Sequence, residues 1–251
     1  MVDPLRCPLA HVFVRASHAA RGTAIVVFLS LATGPLAAQQ PAEVHYWHQG
    51  VMPPGAIGSL RLERGGSVAG FFQPVEIKAP AGVAISLVEG GGFGEPMPAP
   101  VLAGMLIGPV YRLRVANLPL HPGAEVFPTI EVIDRLYAPR GQETRFPIEI
   151  ELTQEEMEMA LEGKFVTRVI YLEDPDKALP VRQDPNHQAW FEAGPGRDPL
   201  AMADELGRPV AILRLGGRVP ENGAAPSAAF LFGCPPIIKY ARPLAAGTPK
   251  S

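Results

Sequence analysis

Three short stretches of this chain carry the residue types that do chemistry. In His45-Tyr46-Trp47-His48 two imidazoles stand three positions apart. On a helix that spacing puts both on one face, where they could ligate zinc; on a strand they point to opposite faces. Pro53 and Pro54 follow closely, so the first expectation is a polar-aromatic arm packing on a domain, with Trp47 as the residue to meet a partner or a sugar. Glu173-Asp-Pro-Asp176, joined by Asp184, gathers carboxylates after a strand-like run. Calcium settles in such loops, but it takes six or more oxygens, and the glycine and closing glutamate of the EF-hand loop are missing. Asp-Pro and Pro-Asp are turn chemistry, so a turn is the first reading, with Asp174, Asp176 and Asp184 as weak metal candidates. Asn186-His187-Gln-Ala-Trp190-Phe191 sets an indole in a polar loop. Such a tryptophan either stacks on a sugar or anchors a partner, with His187 beside it, or plugs the end of a sandwich.

Other chemistries lack their residues. No Gly-x-Ser-x-Gly elbow, phosphate-cradling glycine loop with lysine, or His-Glu-x-x-His pair occurs. Carboxylates are plentiful but undirected, so a hydrolase with a non-standard carboxylate and histidine site stays a third possibility. No cofactor is implied. Arg112 and Arg114 alternate on one stretch and are expected to pair across strands with Glu131, Glu149 or Glu151.

The elements that must position these residues begin with a leader. Arg6, Arg15 and Arg21 precede an uncharged apolar run over residues 23–33. Gly34-Pro35 breaks it, and Leu36-Ala37-Ala38 ends in small residues, the order of an export signal cut after Ala38. The run is shorter than the ~20 residues that span a bilayer. The mature protein would be periplasmic or extracellular, with no transmembrane segment after cleavage. Of the two cysteines, Cys7 leaves with the leader and Cys234 stays among apolar residues, expected as a buried thiol or an intermolecular disulfide. The formal charge of −3 becomes more negative once three arginines and one aspartate are removed, which argues against nucleic acid as a partner.

With 29 prolines and 26 glycines in 251 residues, long helices are disfavoured and short strands joined by turns are expected. Residues 39–58 read as an irregular arm, and 59–63 as the start of alternation. Residues 74–78 and 83–88 read as strands of one hairpin, and 90–100 as a loop without regular structure. Residues 110–115, 129–133 and 146–152 read as strands with one wet face. Pro147 places the last at an edge or gives it a bulge. Thr153-Gln-Glu-Glu156 is a capping box opening a helix over 154–162, and Asp198-Pro199 opens a second, closed by Gly207. Strands over 165–172 and 209–215 follow them. Residues 218–251 form a Pro/Ala/Gly-rich segment. The sum is a mainly β chain of seven or eight strands and two short helices. It reads as an antiparallel β-sandwich, immunoglobulin-like or prealbumin-like, over residues 59–217.

Gly108-Pro-Val-Tyr-Arg-Leu-Arg-Val115 resembles the Gly-x-Tyr strand of exported sandwiches. Together with residues 128–137 and 165–175 it is similar to exported bacterial β-rich proteins of unassigned function, over roughly residues 108–217. That resemblance implies no catalytic residues. The functional expectation is a non-catalytic envelope protein that binds or assembles. Its partner would be an envelope protein or a glycan, the latter making it a carbohydrate-binding module through an exposed Trp.

Overall fold

The computed structural model describes residues 9–16, 52–65, 69–178, 188–194, 196–221 and 225–241. Its fifteen strands there are β1 (Leu9–Ala16), β2 (Phe72–Lys78), β3 (Ala84–Ser86), β4 (Val88–Glu89), β5 (Gly92–Phe93), β6 (Met97–Pro98), β7 (Val101–Leu106), β8 (Val110–Arg112), β9 (Arg114–Ala116), β10 (Thr129–Val132), β11 (Ile148–Glu151), β12 (Phe165–Glu173), β13 (Trp190–Glu192), β14 (Gly207–Leu215) and β15 (Ile237–Lys239). Three helices, α1 (Ala56–Glu63), α2 (Gln154–Leu161) and α3 (Pro199–Leu206), join them.

The fold is mainly β and layered. A six-stranded sheet in the order β13-β1-β12-β14-β10-β8 faces a four-stranded sheet in the order β11-β2-β7-β15. Val75, Ile77, Met105, Ile148 and Ile150 of the smaller sheet meet Tyr111, Ile130, Val166, Ile170 and Leu213 of the larger one in a largely apolar core. A three-stranded sheet β6-β3-β9 adds Ile85 and Val115 to it, and α2 adds Met157 and Ala160. Burying such side chains, at about 2 kcal/mol each, is what opposes chain entropy here.

The six-stranded sheet departs from the alternation expected of it, because its second face is covered too. Ile57 of α1 and Leu200 and Ala203 of α3 pack on Val169, Tyr171 and Ile212. Strands covered on both faces read as nearly continuous apolar runs, as in Val-Ala-Ile-Leu-Arg-Leu of β14. Pairing is mostly antiparallel, but β11 runs parallel to β2 and β13 parallel to β1.

Several sequence expectations hold. Strand β11, after Pro147, is at the edge of its sheet. The capping box of α2 forms: Glu156 N–H donates to Thr153 Oγ1 at 3.2 Å, and Thr153 N–H to Glu156 Oε2 at 3.0 Å. Asp198 Oδ1 accepts from Leu200 N–H at 2.9 Å at the start of α3, whose first turn holds Pro199.

Others are corrected. Residues 56–63 form α1 rather than arm and strand, since Gly55 at φ +92° turns the chain into a helix on the sheet. Strand β2 pairs with β7 and β11, and β3 with β6 and β9, so the two are not a hairpin. Residues 90–100 hold β5 and β6. The 110–115 run is split at Leu113, its halves joining different sheets. Gly207 does close α3, in extended backbone; a Cβ there would lie 1.9 Å from the Leu172 carbonyl oxygen, so closeness rather than φ demands glycine. The Pro/Ala/Gly-rich segment contributes β15 to the smaller sheet. Cys234 is a free, partly exposed thiol rather than a buried one.

One placement was not anticipated: Leu9–Ala16, inside the stretch read as a leader, forms β1 between β12 and β13. The apolar run, the Ala38 cut and the last ten residues lie outside the described residues.

The Tyr111 hydroxyl ties the two sheets, accepting from Leu106 N–H and donating to the Pro236 carbonyl, both at 2.8 Å. Burial pushes its pKa up to about 12 from 10, partly offset by the Leu106 hydrogen bond. The fold therefore favours the neutral phenol. That contribution is complete below pH 10 and is lost as pH rises toward 12. The stability gap between wild type and Tyr111→Phe, read from urea unfolding, is expected to shrink across that window; a pH-independent gap contradicts the assignment.

Candidate functional site

The residues singled out in the sequence do not converge. Trp190 begins β13, the outermost strand of the six-stranded sheet, and its side chain is 48 % exposed. Its position is set by Gln188, which bridges to the edge of the other sheet. Gln188 N–H donates to Glu151 Oε2 at 2.9 Å, its side-chain amide donates to the Glu149 carbonyl at 2.7 Å, and its Oε1 accepts from Glu151 N–H at 3.1 Å. One glutamine thus links the β11 edge to the β13 edge, closing one side of the layers and presenting the indole on a braced strand.

Asp174 and Asp176 form a turn. Asp174 Oδ1 accepts from Asp176 N–H at 3.1 Å, and its carboxylate stands 3.7 Å from the Lys177 ammonium. No group of three potential metal ligands occurs among the described residues. Trp190 is level with Ile170 through His11, so Asp174 is four residues further along and two strands across. That amounts to roughly 13 Å by roughly 10 Å, too far for one small site. Trp47, His187 and Asp184 lie outside the described residues.

A second exposed aromatic was missed in the sequence. Tyr137, 66 % exposed, is flanked by guanidinium groups. Arg135 Cζ lies 4.7 Å from its ring centre and 4.1 Å from that of Phe71, and Arg208 Cζ lies 5.4 Å from Tyr137. Arg208 is itself fixed by Asp134 at 2.8 Å and the Arg135 carbonyl at 2.9 Å. Cation–π stacks of this kind hold a ring in one orientation.

The largest surprise is charge inside the sheet. Arg112, Thr129, Arg214 and Thr167 are successive partners across β8, β10, β14 and β12, and all four are buried on the helix-covered face. Glu131, fully buried one step along β10, accepts from Gly55 N–H at 2.9 Å, Gly58 N–H at 2.7 Å and Arg214 Nη1 at 2.7 Å. Its carboxylate answers the orphan donors at the start of α1. Gly58 must be glycine for α1 to come this close: a Cβ would stand 2.6 Å from Gly108 Cα.

The expected pairing of Arg112 with a carboxylate is corrected. Its Nε and Nη1 donate to the Phe230 and Phe127 carbonyls at 2.7 and 3.0 Å, and its Cζ sits 4.2 Å over the Phe230 ring. Burial, and then the Arg218 charge, push its pKa down to about 10. Arg114 pairs instead with Glu125 at 3.0 Å, and Glu149 with Lys78 at 2.7 Å. On the opposite, core-facing side, Arg168 Nη1 lies 3.2 Å from Glu156 Oε1 and its Nη2 donates to the Glu151 carbonyl. Arg112, Glu131, Glu156, Arg168 and Arg214 are sealed from water and their partners are internal, so their chemistry is architectural. The exposed aromatics, not the buried charges, are the groups able to meet another molecule.

No protein-family model, curated protein or solved structure matches this chain. Among the described residues no helix is long and apolar enough to cross a membrane.

Proposed function

We propose that this is an exported, non-catalytic β-sandwich that acts by binding or assembly at the cell envelope. The observation that carries the reading is Trp190, about half exposed on the outermost strand of a braced sheet. Aromatic residues presented in this way dominate the energetics of protein contacts. The leader pattern supports it.

Trp190→Ala is expected to change unfolding free energy by no more than about 0.5 kcal/mol, as surface substitutions do. It is also expected to abolish cross-links that the wild-type protein forms in envelope fractions. Equal cross-linking by both proteins would sink the proposal. A second reading, glycan binding, is favoured by the exposed rings of both Trp190 and Tyr137. On a glycan array it predicts signal for wild type and loss in Trp190→Ala or Tyr137→Ala, whereas three blank profiles dismiss it.

A further inference from the structure

The loop from β9 to β10 turns twice in succession, and the two turns are built alike. Residues 118–121, Leu-Pro-Leu-His, close with His121 N–H donating to the Leu118 carbonyl at 3.2 Å. Residues 121–124, His-Pro-Gly-Ala, close with Ala124 N–H donating to the His121 carbonyl at 3.1 Å. Each has proline second and a positive φ third, the pattern of a type II turn, which calls for glycine or asparagine at that third place. Gly123, at φ +80°, obeys; a Cβ there would meet open space, so backbone conformation alone favours glycine. Asn117, at φ +57° just before the first turn, is also a type that tolerates the left-handed region. Leu120, at φ +65°, does not conform. It is also 86 % exposed, the highest value for a large apolar side chain among the described residues. Single exposed leucines are ordinary. One held in solvent against its own backbone preference is not, and strain of that kind collects where function needs it.

We infer that Leu120 is a contact residue, projecting from the fold to enter an apolar pocket on a partner protein whose rim is lysine or arginine. The site is separate from Trp190, and the inference does not rest on the reading of that residue. The loop is fixed on both sides of the leucine. Leu118 is 3 % exposed and belongs to the main core. The Gln154 side-chain amide donates to the Pro119 carbonyl at 2.9 Å and to Glu158 Oε1 at 2.7 Å, and His121 Nε2 lies 3.7 Å from the same Glu158 oxygen. The leucine is therefore presented in one position, which limits the entropy lost on binding. Charge selects the partner. Glu158 stands beside the loop, Glu155 is exposed about one helical turn away on α2, and Glu125 engages the neighbouring cation, Arg114, at 3.0 Å. That acidic setting repels anionic lipid headgroups. It equally opposes a two-fold contact with a second copy, which would set the same carboxylates against each other. A protein pocket bordered by cations suits both the leucine and its surroundings.

Two measurements decide it. In urea unfolding, Leu120→Asn is expected to have a midpoint equal to or above that of wild type at an unchanged slope, because asparagine accepts the left-handed backbone and no core contact is lost. A lower midpoint overturns the inference, since the leucine would then serve the fold itself. For the contact, a photo-crosslinking residue replaces Leu120 in the full chain, expressed in the cell that makes the protein. One discrete adduct is expected, whose joined peptide comes from another protein and carries apolar residues beside lysine or arginine. Added to a lysate before irradiation, excess wild-type chain should suppress this adduct. Leu120→Asn should compete about tenfold or more weakly, the loss expected for one leucine withdrawn from a buried contact. Glu155→Lys should compete about threefold more weakly, its charge now matching the rim. Competition equal to wild type by Leu120→Asn or Glu155→Lys overturns the inference. So does the absence of an adduct, or one formed with lipid, with a second copy of this chain, or with another segment of the same molecule.

Discussion

Glu131→Gln is expected to cost the fold about 3–5 kcal/mol, the loss typical when one partner of a buried ion pair is removed. The side chain is isosteric, so no cavity forms and the effect isolates charge. It leaves Arg214, 3 % exposed, without its counter-ion. It also weakens the acceptor that holds Gly55 and Gly58 N–H at the start of α1. Because α1 carries Ile57 into the helix-side cluster, the loss should spread to that face of the sheet. Urea unfolding with an unchanged slope measures it. A change below about 1 kcal/mol would falsify the claim that this carboxylate supports both the helix and the arginine.

Arg168 gives the second large effect. Its side chain is 1 % exposed and that of Glu156 3 %, and burial pushes the guanidinium pKa down against the raising influence of Glu156 and Glu151. Arg168→Met should destabilise by about 3–5 kcal/mol, mostly by stranding the Glu156 charge and the Glu151 carbonyl. Glu156→Gln keeps the reciprocal cap of α2, since glutamine serves at that position, but leaves the arginine unpaired. The double variant removes both charges and should recover a good part of the loss, with a coupling of about 1–3 kcal/mol in the mutant cycle. Strictly additive losses would show that the two groups do not stabilise the fold as a pair.

Much of the fold is legible in the chain because its punctuation is local. The Thr153 and Asp198 caps and the edge strand after Pro147 follow from chemistry within a few residues. The partners of β2 and β3 are not local: each strand pairs with segments that come later in the chain, and nothing in residues 79–82 forbids the simple hairpin. The double burial of the large sheet was readable in retrospect. Glu131 in Thr-Ile-Glu-Val, Arg168 in Val-Thr-Arg-Val-Ile and Arg214 in Ile-Leu-Arg-Leu each interrupt an apolar run by one residue. Strict alternation was the wrong template for such runs, and with it Arg112 was expected to pair with a carboxylate across strands. Trp190 stands out in the sequence by its residue type. Tyr137 does not, because its setting comes from Arg208 and Phe71, far away in sequence.

The pairing of the four-stranded sheet governs when this polypeptide can mature. Strand β2 waits for β11 along one side, and β7 waits for β15, which ends at Lys239. Such distant closures are slow, and here the final one falls close to the C-terminus. While the chain is being synthesised, the six-stranded layer has all its strands once Leu215 has emerged, whereas the four-stranded layer still lacks β15.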